Sequence, residues 1–336
     1  MGAAAQNGWQ EWPRYRLFGL TLASDFAFQT SLPAAATAPD LGFACAADAP
    51  EILDFKRHAP TYCSPYRNAQ GESALSIYRL PGRDVLRFAD AVDFYLYADF
   101  IHCHMRDPET AYWVEIRLLG AVLSFWLERQ QIPMLHCAAT VIDDLAVGFL
   151  ASNRGGKSSL AASFLQAGYP LLTDDILPIE AVSPRFLGRP GYPSMRFWPA
   201  EAEHFLGRSE DFPRVHPSLT KRRVAVERDG LGSFHRRPTP IGCLYIPERY
   251  EADSPNAAVE ITPFAPAAAV MELLHHSFIP HAVQALGWQR HRLPSFAQLL
   301  QTVTLRRLRY PSGFEHLTRV REAVLADRTH WAVAHP

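Results

Sequence analysis

The chain has 336 residues, 48% of them hydrophobic and 20% charged, which is enough apolar material for sizeable cores, so disorder or a fibre is excluded and about two domains are expected. Its 33 basic and 34 acidic residues leave a formal charge of −1, so no global field gathers nucleic acid or an anionic membrane, and any bound anion must be held locally. Five scattered cysteines (Cys45, Cys63, Cys103, Cys137 and Cys243) show neither CxxC nor metal-ligand spacing, the pattern of a reduced, cytoplasmic protein.

Met1 to Glu11 lacks the basic and apolar regions of a secretory signal, and Gln6 stands where N-myristoylation wants Ser or Thr. From Tyr15 to His104 the short apolar runs Tyr15–Leu22, Ser76–Leu80, Val85–Phe88 and Phe94–Tyr97 predict strands, with 33–50 as an irregular Ala/Pro connection. Residues 1–108 are therefore expected to form a β-rich N-terminal domain. At Glu109 the period turns helical, with Trp113, Ile116, Leu119, Leu123 and Trp126 three and four residues apart, so a second domain, 109–336, is expected to begin there. Its most apolar part, Leu118–Leu127, is about half the length of a bilayer span and predicts a buried helix.

Leu135–Val141 and Leu145–Leu150 flank Asp143-Asp144 and predict a hairpin. Ala151–Gly156 is small and polar. Lys157 then opens a helix with Leu160, Ala161, Phe164 and Leu165 on one face and Gly168 as its stop. Tyr169–Thr173 predicts a strand that ends in Asp174-Asp175. The stretch from 179 to 237, rich in Pro and Arg, is read as loops between short elements. Helical periodicity returns at Pro266–Leu274, Phe296–Val303 and Glu315–Ala326. The class is α/β.

The chemistry concentrates between the second hairpin strand and the helix, where Asn153, Arg154, Gly155, Gly156, Lys157, Ser158 and Ser159 have the context of a phosphate-binding loop. Backbone N–H groups and the helix dipole favour a polyphosphate, Lys157 can bridge terminal phosphates, and Ser158 can ligate Mg²⁺. The triplet Gly156-Lys157-Ser158 is weakly specific alone, and Ala151 occupies the position of the strict pattern's first glycine, which requires a φ below zero there. Asp174 and Asp175, at the end of the next strand, are suited to bind a metal and accept a proton, or the pair is a solvated turn. His136 can support a carboxylate or polarise a phosphate oxygen, or it can be a core histidine.

Leu135-His136-Cys137-Ala138-Ala139, Val147–Leu150, Gly156-Lys157-Ser158-Ser159-Leu160, Gly168-Tyr169-Pro170 and Leu171–Asp175, in this order and spacing, resemble the catalytic core of the HPr serine kinase/phosphorylase family, and more closely its HPr-kinase-related branch. Gly191-Tyr192-Pro193 with Arg196, Phe197 and Trp198, and Arg16–Leu20, resemble further segments of related kinases. The resemblance implies a P-loop-containing, nucleotide-binding catalytic domain akin to that of phosphoenolpyruvate carboxykinase, using ATP and Mg²⁺. It implies that Lys157 holds the phosphates, Ser158 and Asp174 handle Mg²⁺, Asp175 is the base and His136 supports the site. The implied acceptor is a serine in a peptide or small protein, such as a ribosomally made or lasso-peptide precursor, and the implied assembly is a homo-oligomer. A catalytically inactive nucleotide-binding scaffold and a small-molecule kinase are the alternatives.

Among the remaining candidates, Lys221 or Arg223 in the basic stretch 214–237 can fold over a γ-phosphate, or the stretch is a solvated loop or a docking face for an acidic peptide. His102 and His104 share a strand face without a third metal ligand, and His275-His276 lies on a packing face. Arg306, Arg307, Arg309 and Tyr310 have the look of a nucleic-acid stripe, against which the balanced charge argues.

Overall fold

The structure, a computed structural model, describes residues 8–45, 53–89, 92–217, 219–251 and 257–331; Gly2, Gln6 and the 46–50 end of the expected Ala/Pro connection lie outside them. The chain divides into two compact units, Met1–Gln130 with Ile279–Gln289, and Gln131–Phe278 with Arg290–Pro336. The boundary expected at 108/109 thus falls at 130/131. The helical stretch after Pro108 joins the first unit because its contacts lie there: Glu115 accepts the Gln29 and Thr30 N–H groups at 2.6 and 3.0 Å, Arg117 stacks on Phe88, and Arg129 lies 3.2 Å from Asp84.

The first unit is built on an eight-stranded sheet. In chain order its strands are β1 (Arg14–Leu17), β2 (Leu20–Ser24), β3 (Leu41–Cys45), β4 (Tyr62–Cys63), β5 (Leu75–Leu80), β6 (Arg83–Phe88), β7 (Val92–Leu96) and β8 (Phe100–Met105). Their spatial order is β1-β2-β3-β8-β7-β6-β5-β4. The run Tyr15–Leu22, expected as one strand, is two, because Phe18 and Gly19 both take positive φ and turn the chain back on itself with Leu17 opposite Leu20. Strand β3 lies inside the stretch expected to be irregular. The long helix is α1 (Ala111–Arg117) and α2 (Leu123–Arg129), joined by a π-helical turn where Gly120 leaves helical geometry. His102 is buried against the Tyr95 ring, and among the described residues no group of three or more His, Cys, Asp or Glu is placed to hold a metal. All five cysteines are free.

The second unit opens with β9 (Met134–Ile142) and β10 (Leu145–Leu150), the expected hairpin. Asp143 and Asp144 are both left-handed, as a two-residue turn matched to strand twist requires. Next come α3 (Lys157–Gln166), β11 (Leu171–Thr173), β12 (Ile176–Val182), β13 (Arg185–Gly188), β14 (Ser194–Phe197), α4 (Pro199–Leu206), β15 (Arg222–Ala225), β16 (Thr239–Tyr250), β17 (Glu260–Pro263), α5 (Pro266–His275) and β18 (Thr304–Pro311). The stretch 179–237 is therefore more ordered than its Pro and Arg content suggests: four-residue strands are too short to show a period. Strand β10 pairs antiparallel with β9 and parallel with β16, which pairs parallel with β18.

Because β9, β10 and β16 are covered on both faces, their residues are nearly all apolar, and alternate positions feed two cores. Ala138, Val147, Phe149, Cys243 and Tyr245 pack with Leu160, Phe164 and Val320. Cys137, Ala139, Leu150 and Leu244 pack with Leu273, Phe296 and Leu299. The parallel pair β10 and β16 carries α3 on the first face, so the start of α3 emerges at the carboxyl end of β10, where open α/β sheets present ligand sites. Arg306, Arg307 and Arg309 are not a free basic stripe: they pair with Asp327, Glu248 and Glu260. Among the described residues no helix is long and apolar enough to cross a membrane.

Candidate active site

The loop 151–156 turns from β10 into α3 through two left-handed residues, Arg154 (φ 65) and Gly156 (φ 86). A side chain on Gly156 would meet the Tyr310 hydroxyl at 2.7 Å, and one on Gly155 would overlap the Ala151 methyl and lie 2.9 Å from the Ser152 carbonyl. Ala151 itself is not left-handed, so alanine fits where the strict pattern has glycine. No side chain caps the first turn of α3, so its N–H groups and the positive end of the helix face outward for an anion. Gly155→Ala is expected to cost about 1–3 kcal/mol through overpacking, read as a lower urea midpoint; an unchanged midpoint would contradict this loop packing.

Lys157 is buried, and its ammonium folds back to donate to the Ala151 carbonyl at 2.7 Å and the Ser152 carbonyl at 3.3 Å. Burial pushes its pKa down, while Asp175 and Asp174 pull it back up. The Ser158 hydroxyl donates to Asp174 Oδ1 at 2.8 Å, and the Arg196 N–H donates to Asp174 Oδ2 at 3.1 Å. Burial, reinforced by the neighbouring Asp175 charge, raises the Asp174 pKa.

Asp175 is left-handed at φ 78, a conformation that costs a non-glycine residue about 1–3 kcal/mol. It is fixed between strand pairings: the Cys137 N–H donates to its carbonyl at 3.2 Å, and Ile176 pairs with His136. The bend turns the two acids to different partners. His136 Nε2 lies 3.0 Å from Asp175 Oδ1, and Arg196 lies 3.6 Å from Oδ2. Burial pushes the Asp175 carboxyl up, but the hydrogen bond and charge of His136, then Arg196 and Lys157, overcome it and hold the group well below the usual carboxylate range. His136, half-buried, has Asp175 as the partner of its ring. Its own N–H donates to the His276 carbonyl at 2.7 Å, and its ring meets the edge of Phe278.

The structure brings His136, Lys157, Ser158, Asp174 and Asp175 to one corner, with Arg154, Gly155 and Gly156 forming the loop beside them. Asn153 is exposed on that loop. The Ser159 hydroxyl donates to Glu201 on α4 at 2.5 Å, so what Ser159 presents at the helix start is its backbone N–H. Arg196 and Trp198 stood in a sequence segment to which no role was attached, and Arg249 was missed. Neither signal is local: Arg196 meets Asp174 and Asp175 from β14, and Arg249 arrives from the far end of β16. Chemically, the corner can hold a polyanion at the helix start, offer hydroxyl and carboxylate oxygens to a hard cation, and receive a proton on a neighbouring carboxylate.

No family model matches the chain, and no curated protein matches it. Among solved structures, the match includes the structure of the HPr(Ser) kinase/phosphatase from Coxiella burnetii, at 12% identity over 57% of this chain and 98% of that one, with a TM-score of 0.27. Likeness at that level leaves the functional reading to the chemistry of the site.

Proposed function

We propose that this chain is an ATP- and magnesium-dependent kinase that phosphorylates a serine hydroxyl of a peptide or small protein, such as a ribosomally made peptide precursor. The observation that carries this reading is the Ser158–Asp174 contact of 2.8 Å at the uncapped start of α3, with the His136–Asp175 pair beside it. A hydroxyl and a carboxylate are the oxygen donors magnesium prefers, and few protein ligands suffice because the ion keeps waters and phosphate oxygens. Magnesium held there would neutralise charge on the phosphate oxygens.

In this reading the N–H groups of Gly156, Lys157, Ser158 and Ser159, with Asn153, Arg154 and Gly155 of the loop, cradle the polyphosphate, and Lys157 swings from its carbonyl partners to the terminal phosphates. Asp175 accepts the serine proton as the serine oxygen bonds to the γ-phosphorus and the bond to the β-bridging oxygen breaks, releasing ADP. His136 and Arg196 hold Asp175 anionic and oriented. Because its basicity is low, the proton moves late, when bonding to phosphorus has made the hydroxyl acidic. A scaffold that only bound nucleotide would have no use for this pair.

The test is intact-mass spectrometry of serine-containing candidate peptides incubated with the protein, ATP and Mg²⁺, with a gain of one phosphate expected. ATP consumption driven by small hydroxyl compounds but by no peptide would favour a small-molecule kinase. Nucleotide binding without any turnover would favour the scaffold.

A further inference from the structure

Three cations around the start of α3 form no ion pair among the described residues. Elsewhere in the same unit, Arg222 pairs with Glu210, Arg236 with Glu227, Arg307 with Glu248 and Arg309 with Glu260. Arg154, Lys221 and Arg249, by contrast, have no carboxylate partner among the described residues. Two of them converge on one ring: the Arg154 guanidinium lies 4.9 Å, and the Lys221 ammonium 5.0 Å, from the centre of the Trp198 indole. Arg249 donates to the Arg154 carbonyl, fixing the loop from the other side.

Trp198 is tied to the helix start through its backbone: its main-chain N–H donates to Glu201 at 2.8 Å, and the same carboxylate receives the Ser159 hydroxyl from the first turn of α3. A π face attracts each cation but neutralises neither. Arg154 and Lys221, drawn to one ring, repel each other, and a multiply charged anion between them would relieve that repulsion. Arg154 also holds a left-handed conformation that glycine would adopt freely, which makes sense where the guanidinium has work at the site.

We propose that Trp198 is a positioning platform from which Arg154 and Lys221 close on the outermost phosphate, making the site selective for a nucleoside triphosphate over the diphosphate. This rests on the kinase reading. It adds a source for the charge compensation that phosphoryl transfer requires beyond Lys157 and the metal, and a reason for ADP to leave once its terminal phosphate is gone.

Equilibrium binding of ATP and ADP to the full chain tests it, with Lys221→Met, Trp198→Leu and Trp198→Phe. Wild type is expected to bind ATP more tightly than ADP. Lys221→Met and Trp198→Leu should each cut that ratio by about tenfold, the size of one charge-assisted phosphate contact, with ADP affinity nearly unchanged. Trp198→Phe, which keeps a π face, should retain most of the ratio, a rescue that a purely structural role for the indole would not produce. Should Trp198→Leu fail to fold, Lys221→Met carries the test alone. Equal loss of ATP and ADP affinity, or no change in either, would overturn the clamp and leave the kinase reading standing. Absence of ATP binding in the wild type would remove the kinase reading and the clamp with it.

Discussion

Asp175→Asn is expected to lower phosphate transfer by about 10²–10⁴-fold, the range for loss of a positioned general base, with folding and ATP binding retained. The substitution keeps the shape of the side chain and its place beside His136 and Arg196, 3.0 and 3.6 Å away. It removes the anionic oxygen that, under the proposed reaction, would take the serine proton. It also removes a negative charge from the phosphate corner, so ATP affinity should hold or rise. The split between lost turnover and preserved binding separates a base from a folding residue. Steady-state transfer and equilibrium ATP binding on the same preparation check it. Transfer by the variant at the wild-type rate would take Asp175 out of the reaction.

Asp327→Ala should lower the stability of the second unit by about 3–5 kcal/mol, because breaking a buried pair leaves a buried charge uncompensated. Asp327 is buried between Arg306 Nε at 2.8 Å and the Tyr245 hydroxyl at 2.7 Å, and that hydroxyl receives the Trp331 indole N–H at 2.8 Å. The Arg306–Asp327 contact is close in distance, but its N–H is not aligned as a hydrogen bond, so the attraction is mainly Coulombic. The cluster ties β16 and β18 to the last described turn. Replacing both partners, Arg306→Met with Asp327→Leu, is expected to recover most of the loss, since no buried charge is then left behind. Urea unfolding followed by circular dichroism reads both. A single variant within about 0.5 kcal/mol of wild type, the scatter of ordinary surface substitutions, would contradict the cluster's role.

The central hairpin, the loop and α3 were legible in the sequence because each is written locally: apolar runs on either side of Asp143-Asp144, two glycines before Lys157, and a helical period closed by Gly168. The acids at the end of β11 were legible for the same reason, as charged residues ending an apolar run. What was not legible depends on pairing between distant segments. Strand β3 is only Leu41–Cys45, and nothing local in those five residues marks it as the parallel neighbour of β8. Strands β13, β14 and β15 have four residues each, below the length at which alternation can be recognised. The helical stretch after Pro108 was visible, but the sheet it packs against was not, and the domain boundary moved accordingly. Within the site, the partner of His136 could not be read from its neighbours, because Asp175 is 39 residues away in sequence.

The most direct test of the account is a crystal structure of the full chain with Mg²⁺ and a non-hydrolysable ATP analogue. The expected result is a triphosphate at the N–H groups of the first turn of α3, the Lys157 ammonium moved from the Ala151 and Ser152 carbonyls to phosphate oxygens, and the ion between Ser158 and Asp174. Analogue bound elsewhere, or Lys157 still seated on those two carbonyls with the helix start free of phosphate at saturating analogue, would contradict it.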